Sequence, residues 1–227
     1  MASGADHPQP QHRFFKSRTI VLPTWRIGVP AVLFLAILCG VFVKGIYPWL
    51  AVTDPLPKAP YLIVEGWMPD YALKSAAERI SADHVTLALC TGVPIERGTL
   101  VSSYGNYANY AEATLATMGA SPEKIAAVPA DLSRTERTRM MARAVESKLT
   151  ALEIPDGRKR INVITVGTHA RRSRQIYQEE LGKAWQVGVV SIPDQETDPD
   201  RWFLQSTGVK NVINESIALT LGLFGVN

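Results

Sequence analysis

Arg160–Val166 reads RINVITV, and Gly167–Leu181 continues GTHARRSRQIYQEEL. The first run is apolar and rich in β-branched residues and stops at a glycine, as a buried strand does. The second is polar with apolar residues at helical spacing. The junction is therefore a strand, a turn and a helix. The same alternation recurs through the chain. Tyr61–Glu65 (YLIVE) precedes a helix-like stretch over Asp70–Ile80, and His84–Cys90 (HVTLALC) precedes another over Tyr104–Met118. Lys124–Val128 precedes Arg134–Leu152, where Ser133 and Glu136 have the spacing of a capping box. Val187–Ile192 precedes a last amphipathic helix over Lys210–Leu223. Strands alternating with helices predict an α/β fold, a Rossmann-like three-layer sandwich with a mostly parallel sheet. The near-continuous apolar character of the strands agrees, because parallel strands are covered on both faces.

The chain has 227 residues, 46% of them apolar and 20% charged, with 16 Gly and 15 Pro. It is long enough for one domain with a full core, and its composition excludes wholesale disorder, collagen and coiled coil. Two cysteines exclude a disulfide scaffold. Cys39 falls in an apolar run, and Cys90 reads as a small core residue. The net charge of +3 is not spread over the chain. Arg13, Lys16, Arg18 and Arg26 face Asp6 alone, and the remainder is balanced. This argues against a basic nucleic-acid surface.

That basic arm, residues 1–26, is rich in Pro, Gln and Ser and predicts a disordered cytoplasmic tail. It leads into IGVPAVLFLAILCGVFV, Ile27–Val43, which has no charge. Extended to Leu50, with Lys44 snorkelling, the segment reaches bilayer thickness. Tyr47 and Trp49 are expected at the membrane interface. The reading is a signal anchor over 27–50; its rivals are a cleaved signal peptide and a buried globular helix. The positive charge before the span predicts a cytoplasmic N-terminus and an extracytoplasmic domain. Residues 51–60, AVTDPLPKAP, with three prolines, predict a stiff linker lifting a domain over 61–227 off the membrane.

In open α/β sheets ligands bind at the carboxyl ends of the strands. The turns there carry Glu65, Gly66 and Asp70, then Thr91 and Gly92, then Arg134 and Thr135, then His169, Arg171, Arg172 and Arg174. With Thr168 as N-cap, these last arginines crowd a helix start, where the helix dipole disfavours cations. A bound phosphate or carboxylate would compensate them, with backbone N–H groups helping; the alternative is compensation by Glu65, Asp131 or Glu179. His169 is a candidate acid or base, with Glu65 as its carboxylate partner and candidate general base. Asp70 reads either as a ligand contact or as a helix cap. Four scattered histidines do not predict a metal site. No dinucleotide fingerprint, P-loop or nucleophile elbow occurs. Tyr104, Tyr107 and Tyr110 form a stripe facing either a ligand or the core, and Trp202 lies in a late loop able to close the same crevice.

The basic anchor resembles the SanA/YdcF/ElyC family of bacterial envelope proteins. So do Tyr61–Ala72, Thr91-Gly92, Ser133-Arg134-Thr135 and Val166–Ser173, read together. The His-x-x-Arg segment, His169 and Arg172, is the most specific part. The resemblance covers about residues 60–220. It implies a Rossmann-like domain on an inner-membrane anchor, with a role in peptidoglycan or lipid-carrier-dependent polysaccharide metabolism. The expected ligand is an anionic small molecule or lipid-linked intermediate; the cofactor is unknown. Any reaction would be hydrolysis or transfer at a phosphate or sugar. A non-enzymatic scaffold and a nucleotide- or S-adenosylmethionine-binding protein are the alternatives. The turn Glu65-Gly66-Trp67 departs from the family's glycine-rich turn, which marks a variant branch.

Overall fold

Five strands build the domain: β1 (Tyr61–Glu65), β2 (Leu87–Gly92), β3 (Ile125–Pro129), β4 (Arg160–Val166) and β5 (Gln186–Ile192). In this computed structural model, residues 24–82, 84–96 and 103–223 are described. Most of the basic arm therefore lies outside the described residues. The strands form one sheet in the order β3-β2-β1-β4-β5, and every pairing is parallel. This is the Rossmann order for five strands, with its reversal beside β1. The α/β sandwich expected from the alternation is the fold observed.

The helices are α1 (Trp25–Leu50), α2 (Asp70–Ala82), α3 (Tyr107–Thr117), α4 (Arg137–Thr150), α5 (Ala170–Leu181) and α6 (Ser206–Leu223). Alternate strand residues face opposite layers. Ile63, Leu89, Val163 and Val189 pack with Met141 and Val145 of α4 and Tyr177 of α5. Leu62, Val64, Cys90 and Ile164 pack with Leu73 and Ile80 of α2 and Leu115 of α3. All five residues of β1 are buried, as the central strand of a doubly covered sheet requires. Cys90 is buried as expected, and burial, then the charge of Glu112, push its thiol up to about 12. Across the first face, Arg139 of α4 pairs with Glu179 and Glu180 of α5.

Two helix starts differ from expectation. The Ser133 hydroxyl does accept the Glu136 N–H at 3.0 Å, but α4 begins only at Arg137. Arg134 and Thr135 are thus in the preceding turn, not the helix. Thr168 is not the N-cap of α5: Gly167–His169 form a 3-10 turn that runs directly into Ala170. On α3, Asn106 is the cap, its side chain accepting the Asn109 N–H at 2.8 Å.

The chain divides into two compact units, one through Val41 and one from Phe42. Helix α1 is long and apolar enough to cross a membrane. Its last two turns nevertheless belong to the second unit. Tyr47 and Leu50 are buried in a cluster with Trp202, Val212 and Leu219, so Tyr47 is a core residue and not an interfacial one. Trp49 remains half-exposed, with the Arg171 guanidinium 4.2 Å above its ring.

Residues 51–60 do not stand off the domain as a free linker. Asp54 and Val189 exchange both backbone hydrogen bonds, at 2.8 and 3.1 Å, in an antiparallel bridge. Asn162 accepts the Leu56 N–H at 2.8 Å and donates to the Leu56 carbonyl at 3.0 Å. The proline-rich segment covers the open edge of β5, whose unpaired N–H and C=O groups need partners. What the segment does is set by the exposed edge it pairs with.

Candidate functional site

Every parallel strand ends on the same side of the sheet, so the turns after β1, β2 and β4 converge there. The first to be fixed is Glu65, the last residue of β1. It is fully buried, and its carboxylate accepts hydrogen bonds from three donors. The Thr165 hydroxyl donates to Oε2 at 2.6 Å, the Ser173 hydroxyl to Oε1 at 2.9 Å and the Trp67 indole to Oε2 at 3.2 Å. A buried carboxylate is tolerable only with such a set. Glu65 thus lies beneath the cleft with its carboxylate held by three donors, and it is not among the residues that line the cleft. Tyr177, fully buried, feels its charge. Burial first, and then Glu65, hold the phenol well above its ordinary value.

His169 lies above Glu65 and is flanked by a second carboxylate. Its Nδ1 is 2.9 Å from Oε1 of Glu215 on α6, and its Nε2 is 3.7 Å from Oε2 of Glu65. Nδ1 also lies 3.0 Å from Nη2 of Arg172, a group that only donates, so it sits between a carboxylate acceptor and a guanidinium donor. Nε2 is 3.5 Å from the Thr138 hydroxyl. The Trp67 ring meets the imidazole edge-on at 5.2 Å and limits its rotation. Glu215 also receives Arg172: Nε donates to Oε2 at 2.6 Å and Nη2 to Oε1 at 3.2 Å. Burial raises the Glu215 carboxyl, but the hydrogen bonds and charges of His169 and Arg172 outweigh it and bring the pKa down to about 2.

A cleft of about 780 Å³ opens above this group. Its walls include His169, Arg172, Gly92, Arg134 and Thr135, together with Trp67, Asn214 and Glu215. A second opening of about 380 Å³ meets it at Trp67, His169, Asn214 and Glu215 and continues to Tyr71, Asp194 and Glu196. Five of the sequence-predicted residues are therefore brought to one cleft. Arg134 is exposed and has no counter-ion among the described residues. Arg137 beside it is paired with Glu96 at 2.9 Å.

The other predicted residues have different work. Gly66 and Gly92 leave no room for a side chain: a Cβ on Gly66 would overlap the Tyr107 carbonyl, and one on Gly92 would lie 2.8 Å from the Ala108 N. Both glycines exist to let the first turn of α3 approach the sheet, although Gly92 also borders the cleft. Thr91 is fully buried behind it, with its hydroxyl unpartnered among the described residues. Asp70 opens α2 and accepts the Tyr110 hydroxyl at 2.8 Å. The tyrosine stripe is divided accordingly. Tyr110 joins α3 to α2, Tyr104 stacks edge-on against Tyr110 at 5.8 Å, and Tyr107 borders the cleft.

Arg171 and Arg174 do not reach the cleft. Arg171 Nε donates to the Trp49 carbonyl at 2.6 Å, at the C-terminal end of α1. Arg174 donates to the Val187 carbonyl at 3.0 Å and pairs with Asp54 at 2.8 Å. Burial and the neighbouring Arg174 lower the Arg171 pKa. The crowd of arginines at the start of α5 is therefore answered by protein groups: Glu215 for Arg172, Asp54 for Arg174, and a helix-terminal carbonyl for Arg171. None of the three carboxylates proposed from sequence supplies them. Trp202 also does not close the crevice, because it is buried against α1.

Glu215 is the group the sequence reading missed. One signal was available: between Lys210 and Leu223 it is the lone charged residue of an otherwise apolar or neutral helix. Thr138, Thr165 and Ser173 carried no such signal, being ordinary hydroxyls until the fold aims them. The described residues hold no cluster able to bind a metal ion. Comparison of the chain with protein-family models, curated proteins and solved structures finds no match.

Proposed function

We propose that this protein is a membrane-anchored binding protein whose α/β domain takes an anionic, phosphate- or carboxylate-bearing ligand in the cleft beside His169. The observation that carries the reading is that Arg134, unpaired among the described residues, borders the same cleft as His169 and the Glu215-held Arg172. Arg134 supplies an available charge, Thr135 and Asn214 supply neutral polar contacts, and the His169 imidazole supplies an acid–base group. If the bound molecule reacts, hydrolysis or transfer at a phosphate or sugar suits a site made of fixed charges around one acid–base group.

The motif resemblance to SanA/YdcF/ElyC proteins supports an envelope intermediate, small or lipid-linked, as the ligand. The charge asymmetry around α1 supports an inner-membrane anchor with the domain outside the cytoplasm. Alkaline phosphatase fused to the C-terminus tests this topology, and an inactive fusion overturns it.

The binding reading is tested with full-length protein in nanodiscs. Thermal unfolding is followed with inorganic phosphate, a polyprenyl phosphate, a nucleotide sugar, a muropeptide or S-adenosylmethionine present. A ligand at a hundredfold excess over its Kd stabilises by about 2.7 kcal/mol. Stabilisation by at least one anion, abolished in Arg134→Ala, is expected. No stabilisation by any, or stabilisation unchanged in Arg134→Ala, refutes the site. Cellular complementation by His169→Ala would leave binding intact as a function and remove catalysis.

A further inference from the structure

The turn Trp202–Leu204 places three large apolar residues in succession on the domain. Trp202 is buried, but Phe203 is 39% and Leu204 74% exposed. No large apolar side chain of the described second unit is more exposed than Leu204. The turn sits against the point where α1 enters the domain. The Trp202 indole donates to the Val43 carbonyl at 3.0 Å. Lys44 Nζ donates to the Asp200 carbonyl at 2.8 Å and lies 5.6 Å from the centre of the Phe203 ring. Lys44 is also the first charge after the apolar stretch of α1. A lysine in that position marks the depth at which hydrocarbon gives way to headgroups.

We infer that the Trp202–Leu204 turn is a membrane-interface contact, with Phe203 and Leu204 seated among the lipid headgroups beside Lys44. This rests on the reading of α1 as a membrane anchor. An aromatic and an aliphatic side chain held at the depth of a snorkelling lysine match the chemistry of that layer. Trp202 is the rigid base: its burial against Tyr47 and Leu50 fixes the turn to the last turns of α1.

A Cβ on Gly167, at the carboxyl end of β4, would lie 3.5 Å from the Tyr47 hydroxyl. From there the chain passes Asp54 and Leu56 in the direction opposite to β5, toward the amino edge of the sheet. The last turns of α1, which belong to the second unit, therefore meet the rest of it at the carboxyl edge, the edge that bears the cleft.

Single cysteines are introduced at Leu35, Leu204 and Lys183 in full-length protein carrying Cys39→Ala; Cys90 is fully buried and takes no label. Each is tagged with an environment-sensitive fluorophore and placed in nanodiscs of phosphatidylcholine and phosphatidylglycerol. Quenching is read with lipids carrying a nitroxide near the headgroup or deep in the chain, and with aqueous iodide. The label at Leu204 is expected to lose most of its emission to the shallow nitroxide and little to iodide, while Lys183, beyond α5 at the amino edge, shows the reverse. If Leu35 is quenched by the deep nitroxide but Leu204 responds to iodide as Lys183 does, the interface contact is overturned and the anchor stands. If Leu35 is not quenched by the deep nitroxide, the anchor reading fails and takes this inference with it.

Discussion

Replacing Glu215 with glutamine perturbs the centre of the site with the least change of shape. The carboxylate is 13% exposed and receives three contacts, at 2.6, 2.9 and 3.2 Å, from Arg172 and His169. Its pKa is lowered from 4.5 to about 2. At about 1.36 kcal/mol per unit, this corresponds to roughly 3 kcal/mol of stability at neutral pH. Because the folded value is the depressed one, the contribution is complete above the unfolded value near 4.5 and disappears as pH falls through about 2. For a domain of this size, 1 kcal/mol moves Tm by about 2–4 °C, so Glu215→Gln should unfold about 6–12 °C lower at pH 7. The assay is thermal unfolding of full-length protein in nanodiscs, read by tryptophan fluorescence at intervals from pH 7 to pH 2. Wild type should lose most of its advantage over the variant between about pH 5 and pH 2. Equal Tm values at pH 7, or a constant difference across the acid range, would refute the assignment of Glu215 as the ionised partner of Arg172 and His169.

Glu65→Gln places an amide donor among the Thr165, Ser173 and Trp67 donors and should cost about 1–3 kcal/mol, measured as a lower Tm. Combined with Ser173→Ala, the loss should fall short of the sum, since both remove the same bond. Gly92→Ala drives a methyl into the start of α3 and should destabilise by about 1–3 kcal/mol without altering the charges of the cleft. Arg174→Ala should leave anion stabilisation unchanged while making residues 51–60 more sensitive to protease, because it releases Asp54. Loss of anion binding in that variant would return Arg174 to the site.

The strand–helix alternation made the sandwich legible, and all five strands and six helices lie close to where the pattern puts them. The reason is local: a strand covered on both faces is mostly apolar, as YLIVE and RINVITV are, whatever its neighbours. The site was half legible. His169 and Arg172 were found because they follow a convincing strand, and carboxyl edges are where turns converge. Glu215 escaped because it lies 46 residues beyond His169, on a helix whose direction of approach no local pattern encodes. The arginines illustrate the same limit. Arg171, Arg172 and Arg174 look alike on one helix start, yet they point to α1, α6 and the Asp54 segment respectively.

The sequence alone therefore determined the fold class, the one N-terminal helix long and apolar enough to cross a membrane, and the edge of the sheet that carries the turns. Each follows from periodicity, charge or run length, which are properties of neighbours along the chain. The tertiary structure alone decided that Glu65 is buried, that Glu215 partners His169, that two glycines serve helix packing, and that residues 51–60 close an edge. Those outcomes depend on which donors and acceptors meet once distant elements pack. Burial makes every such group find a partner, and only the assembled fold sets which one is within reach.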